Sequence, residues 1–226
     1  MFGAIAGAGV SHAAVIANFE FDGTAASLNS TIDPAGASVG TFGVGPNNEG
    51  ATFDFASRFG SNQNFAYWIP QGPSDASPGA PGGTGDGVYT AADNLADGEY
   101  MTFTIEADAG NTLNLSDISF RAARNGGGGA INRLDLYVSV DDGAFTKVGD
   151  TLSTGDTSNP STTIRDLSGG AFQDVQKAQF AFVFFNGNNG RGYIDDIALD
   201  GEVVIPEPAS LSMLGLGSLA LLRRTR

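Results

Sequence analysis

Along residues 15–21, Val15, Ala17, Phe19 and Phe21 alternate with polar positions that include Asn18 and Glu20, and Asp22 continues the polar set. A period of two marks a strand with one face turned to a core. The alternation returns at Phe53 and Phe55, at Met101, Phe103, Ile105 and Ala107, and at Leu134, Leu136, Val138 and Val140. It returns again at Phe180, Phe182 and Phe184, and at Tyr193, Ile197 and Leu199. Clusters of Gly, Asn and Asp separate these runs, as turns between strands require. The spacing leaves room for about ten strands, and no stretch between them carries a helical period. The pattern therefore predicts an all-β fold, an antiparallel β-sandwich of the jelly-roll type.

The sharpest local signal is Leu134, Leu136, Val138 and Val140, then Asp141-Asp142-Gly143, then a second apolar run from Ala144 to Val148. Two strands joined at an Asp-Gly turn form a tight hairpin, because those residues accept positive φ at low steric cost. Residues 71–87 are a long Pro/Gly loop, and 125–129 and 186–192 are shorter ones. No Gly-Lys-Ser/Thr follows any of them, so none is a phosphate loop.

Composition narrows the chemistry. The 226 residues fit one domain, with 33 Gly and 16 Phe. Lys and Arg number 11 against 25 Asp and Glu, a net charge of -14, and three of the Arg stand in the last four residues. Such a body repels phosphate backbones, which excludes nucleic acid as a partner and makes divalent cations the natural counter-ions. There is no Cys, and the one His is His12. Nucleophile triads need a base, and a chain that loses its first 13 residues has no histidine to supply it.

The two ends read as addresses. The first ten residues are small and apolar, and Ser11-His12-Ala13 sets small residues at the minus-three and minus-one positions of a signal-peptidase site. Residues 1–13 are thus expected to be an export signal, with the true start codon upstream because no basic residue precedes the apolar run. Residues 14–203 form the sandwich domain. At the other end Pro206-Glu207-Pro208 precedes an uncharged apolar run, 209–222, and a basic end, 223–226. As a short hydrophobic helix those 14 residues would rise about 21 Å, less than the roughly 30 Å of bilayer hydrocarbon, which suits a transient inner-membrane anchor. The arginines would stay on the cytoplasmic side.

The order Pro-Glu-Pro, apolar helix, basic end over residues 204–226 resembles the PEP-CTERM sorting domain of bacteria that carry an exosortase. The resemblance implies recognition of Pro206, Glu207 and Pro208 by that membrane enzyme, and delivery to the cell surface or extracellular matrix. The hairpin string from Leu136 to Gly149 is similar to that of galactose-binding-like jelly rolls, including many carbohydrate-binding modules. In such modules acidic residues of the first and last strands hold a structural calcium ion, and Glu20, Asp22, Asp195 and Asp196 match those positions. By the period of two Asp195 falls among Tyr193, Ile197 and Leu199 on the core face and Asp196 on the opposite one, and a carboxylate on a core face needs a partner.

Glycan binding favours an exposed aromatic platform, and Tyr67-Trp68, with the one Trp of the chain, is the candidate. Glu106-Ala107-Asp108 looks like the start of a Glu-x-Asp-x-x-Glu strand of jelly-roll glycosidases, but Asn111 stands where the last Glu belongs. That departure removes an acid, and glycoside hydrolysis needs two. The sequence is therefore expected to encode a non-enzymatic surface protein associated with polysaccharide. A matrix protein without a specific ligand and a jelly-roll glycoside hydrolase or lyase are the alternatives.

Overall fold

The computed structural model describes residues 13–21, 28–46, 54–55, 66–68, 90–96, 98–125, 132–156, 160–185 and 191–206. Among them, the first half of the chain supplies β1 (Ala14–Phe19), β2 (Ala37–Val39), β3 (Gly43–Val44), β4 (Asp54–Phe55), β5 (Ala66–Trp68) and α1 (Ala91–Ala96). The second half supplies β6 (Met101–Ala107), β7 (Thr112–Asn125), β8 (Arg133–Val140), β9 (Thr146–Ser153), β10 (Gly155–Asp156), β11 (Ser161–Asp166), β12 (Lys177–Phe185) and β13 (Arg191–Val204). The strands form two sheets. One runs β10-β7-β13-β5-β4, with β1 also on β13 and β11 also on β7; the other runs β2-β6-β12-β8-β9, with β3 also on β6. Every pairing is antiparallel except that of β10 with β7.

The core between the sheets is built from phenylalanine. Phe103 of β6 and Phe180 of β12 stack at 4.7 Å within one sheet. Across the gap Phe19 of β1 meets Phe103 at 4.8 Å, and Phe120 of β7 meets Phe182 of β12 edge-on at 5.1 Å. Each of these rings is buried. A buried Phe contributes roughly 1.5–3 kcal/mol, and offset or edge-on ring pairs add to that. Rings this wide need room opposite: a β-carbon on Gly192 would stand 2.6 Å from the Phe184 ring. Glycine is thus the residue that lets β13 cross over Phe184.

The predicted hairpin is present, with a different turn. Asp141 and Asp142 both take positive φ, 49° and 58°, and the Gly143 amide donates to Val140 O at 2.8 Å. The Asp-Asp pair rather than Asp-Gly is therefore the centre of a type I′ turn, and the return strand starts at Thr146 instead of Ala144. Asp141 offsets the strain through its carboxylate, which accepts the Gln176 and Lys177 amides at 2.8 and 2.9 Å.

Three sequence readings change. A helix does exist: α1 is one and a half turns long, too short to show a period, and starts on a reciprocal cap between Thr90 and Asp93. The count of strands reaches thirteen among the described residues, with β2, β3, β5, β7, β10 and β11 outside the seven runs read from the alternation. Asp195 does not lie on the core face. Its strand opposes Asp195 to Arg121 but Ala198 to Ser119, so two residues, Asp196 and Ile197, face the single Phe120. Asp196 takes φ 48° to make this bulge. The bulge shifts the alternation, leaving Ile194, Ile197 and Leu199 in the core cluster and sending Asp195 to the outer face.

No helix among the described residues is long and apolar enough to cross a membrane. The apolar run 209–222 lies outside them, as do Glu207, Pro208 and residues 1–12.

Candidate functional site

The outer face of the six-stranded sheet carries the densest set of binding chemistry. Leu134, Leu136 and Val138 of β8 point into the core, so Asp135, Tyr137 and Ser139 point out. Cross-strand register sets Val183, Ala181 and Gln179 of β12 beside them, and Thr102 and Thr104 of β6 beyond Ala181 and Gln179. Register sets Tyr137 between Ala181 and Lys147 of β9, and its ring is half-buried. Gln179 Nε2 donates to Thr102 Oγ1 at 3.3 Å. At the far end of the face α1 packs onto β12, and Asn94 Nδ2 donates to Phe184 O at 2.8 Å. Ala91, Tyr100, Ala181 and Val183 make a small second apolar cluster there, lined by Tyr137 and Phe145.

Asp135 is the unusual member of the face. The residue is 4% exposed, and Lys147 Nζ meets its Oδ2 at 2.8 Å. Its Oδ1 is buried without a hydrogen-bond partner among the described residues. A buried carboxylate oxygen left bare costs free energy, and a donor brought to it recovers that cost. Burial, and then the Asp135 charge, push the Tyr137 phenol above its ordinary value, so it stays a protonated donor throughout the neutral range. The face therefore offers a half-buried ring, a phenol donor, hydroxyls and an amide, with the Asp135 carboxylate buried beneath them.

The seven-stranded sheet carries the acidic residues. Arg121 of β7 reaches Asp195 at 2.6 Å through NH2 and Asp196 at 2.7 Å through Nε. Burial, then the Asp196 charge, push Asp195 up to about 6 in spite of the guanidinium beside it. Further along, Asp166, Asp117 and Asp200 stand opposite one another across β11, β7 and β13. Burial and the neighbouring Asp117 push Asp200 upward, while bonds from Ser168 lower Asp166. Period-two counting missed this row because β7 carries a second bulge beside it.

Of the residues predicted as a calcium set, the described ones already hold other partners. Asp195 and Asp196 share Arg121, which already provides a cation. Glu20 is exposed and accepts a bond from Asn18 Nδ2 at 3.0 Å, one residue beyond the Phe19–Ile197 pair. Asp22 lies outside the described residues, and among those described no group of three acids is placed to hold a metal. Tyr67 and Trp68 fall on β5, paired with Tyr193 and Gly192 of β13, so they belong to the other sheet from Tyr137. The backbone alone is described there. Pro206 lies past the end of β13, with Ile205 the one residue between, and is exposed.

Residues 204–226 match the PEP-CTERM protein-sorting motif. A motif of this kind marks an exported protein sorted to the cell surface. No curated protein matches the chain in sequence. Among solved structures, the chain is similar to carbohydrate-binding modules of the β-sandwich class. One is the CBM22-1 xylan-binding domain of Xyn10C from Paenibacillus barcinonensis, at 10% identity and TM-score 0.46, covering 88% of this chain and 100% of that one. Another is a non-crystalline cellulose specific module, CBM28, at 10% identity and TM-score 0.44, covering 70% and 86%. A third is the mannan-recognising TmCBM27, at 7% identity and TM-score 0.43, covering 85% and 99%.

Proposed function

We propose that this surface-sorted sandwich associates with polysaccharide without cleaving it, through the outer face of the six-stranded sheet. The observation that carries the reading is the half-buried Tyr137 ring, set by register beside Ala181 and flanked by the partly exposed hydroxyl and amide groups of Thr102, Thr104 and Gln179. Sugars present hydroxyl groups along their edges and apolar C–H faces that stack on rings, which is what this set recognises. The net charge of -14 favours a neutral glycan over a polyanion. Hydrolysis needs a second carboxyl across the bond from the first. Around Tyr137 the neighbouring rows instead carry the hydroxyl and amide groups of Thr102, Thr104, Ser139 and Gln179. Sorting at Pro206, Glu207 and Pro208 would bring this face to the cell surface, with an exosortase-type enzyme as the processing partner.

Affinity electrophoresis of the full chain in gels cast with neutral or acidic polysaccharides tests the reading. Retardation by a neutral polymer is expected, weakened about fivefold to tenfold by Tyr137→Ala, the worth of one stacked ring. Trp68→Ala is the comparison, because β5 lies on the other sheet. Retardation lost with Trp68→Ala but kept with Tyr137→Ala would move the site to β5. No retardation by any polymer would leave a structural matrix protein.

A further inference from the structure

The last residues of β13 decide how the sorting motif is reached. β1 pairs with this strand only as far as Gly201, opposite Ala14. Among the described residues, Glu202, Val203 and Val204 are paired on one side, by Asn114, Leu113 and Thr112 of β7. Val203 still packs against the core. One residue on, Ile205 leans over the turn at Gly36: a β-carbon there would stand 3.2 and 3.3 Å from Ile205 Cδ1 and Cγ1. That turn is itself fastened, since Gly36 O accepts bonds from the Asp108 amide at 2.8 Å and from Asn111 Nδ2 at 2.9 Å. Ile205 remains 58% exposed, so its contact is light. Pro206 comes next, with Ile205 the single residue between it and the ladder.

An enzyme that breaks a bond in an extended substrate grips residues on both sides of it. Residues paired into a sheet must leave it first. We propose that the sandwich gates its own sorting: Ile205 on Gly36, with Glu202, Val203 and Val204 paired to β7, forms a latch, and the sorting enzyme acts on chains in which it has opened. The inference rests on residues 204–226 working as a sorting signal. If opening and closing are fast relative to the cut, the processing rate follows the population of the open form. A strand end held by its last ladder bonds and one light side-chain contact opens often, so the latch slows processing and does not forbid it.

The test is pulse-chase labelling of the full chain in a host that carries the sorting enzyme, following conversion of the tail-bearing form to the shorter one. Six Gly and Ser residues inserted between Ile205 and Pro206 bypass the latch and leave the sandwich untouched; processing about fivefold to tenfold faster is expected. Ile205→Ser should act in the same direction by a smaller factor. A Thr112→Cys, Val204→Cys pair, in a chain with no other Cys, should slow processing when oxidised and restore it on reduction. Wild-type rates in the insertion variant would overturn the latch. The joint change of Pro206, Glu207 and Pro208 to Ala separates the two ideas. Normal processing of that variant defeats the sorting reading itself, whereas blocked processing beside an unresponsive insertion variant defeats only the latch.

Discussion

Replacing Arg121 with Met removes one guanidinium from two carboxylates, and the size of the effect follows from their burial. Asp195 is buried, and the Arg121 side chain is only 21% exposed, so the pair is shielded from water. Breaking a fully buried pair costs about 3–5 kcal/mol. Asp196, the other partner, is half exposed, and water takes over much of its share. The expected cost at pH 7.5 is therefore about 2–3 kcal/mol, or roughly 5–10 °C in Tm for a domain of this size.

The pH dependence supplies the sharper check. Asp195 titrates at about 6 in the folded protein, against 3.8 for the free side chain. Its folded value is raised, so the native state binds the proton first, and this group adds stability as pH falls through 6 toward 4. Between pH 7 and 5 that gain is on the order of 1 kcal/mol in the wild type. Without the guanidinium the folded value rises further, so the variant takes up its proton earlier and gains more. The difference between wild type and Arg121→Met should accordingly shrink to about 1 kcal/mol at pH 5. Urea unfolding followed by far-UV circular dichroism at pH 7.5, 6 and 5 measures it, and taking the difference cancels the other carboxylates. A cost that stays constant across this range would refute the charge-pair reasoning and point to lost packing by the arginine stem.

Two further outcomes bear on the fold and on metal. Gly192→Ala forces a methyl group against the Phe184 ring, and is expected to lower stability by about 1–3 kcal/mol, read as a fall in the urea midpoint at constant slope. Chelation with EDTA is expected to leave Tm in place while Arg121 neutralises Asp195 and Asp196; a fall of several degrees would restore Glu20, Asp22, Asp195 and Asp196 as an ion site.

Strands were legible where a single period ran unbroken. Met101, Phe103 and Ile105 in β6 and Phe180, Phe182 and Phe184 in β12 keep one parity from end to end, and the structure buries all six. β7 does not: Leu113 and Leu115 face the core on odd numbers, then Ile118, Phe120 and Ala122 on even ones. The change falls where Asp117 opposes Asp200 but Leu115 opposes Gly201, leaving Ser116 as the extra residue. A bulge adds a residue without adding a side chain to the core, so the alternation cancels itself across the longest strand. The bulge at Asp196 hides the true side of Asp195 in the same way. Asp135 and Tyr137 were visible as the polar half of the β8 pattern, but nothing in one strand tells that Ala181 will stand beside Tyr137 or that Asp135 will be buried. Those properties come from register with β12 and β9.

The two sheets divide the work in a way that makes each half separable. β1 and β13, the first and last strands described, pair in the seven-stranded sheet, so the sorting motif and the proposed latch at Ile205 both follow from that sheet. The candidate glycan face lies on the outside of the other one, across a core of stacked phenylalanines. The two outer faces stand more than about 10 Å apart and share no strand, and changes at such sites usually act independently. Tyr137→Ala should therefore lose polysaccharide and keep normal processing, and a spacer after Ile205 should speed processing and keep normal binding. Loss of both activities in either variant would mean that the sheets are energetically coupled, and that the surface address and the binding face work as one device.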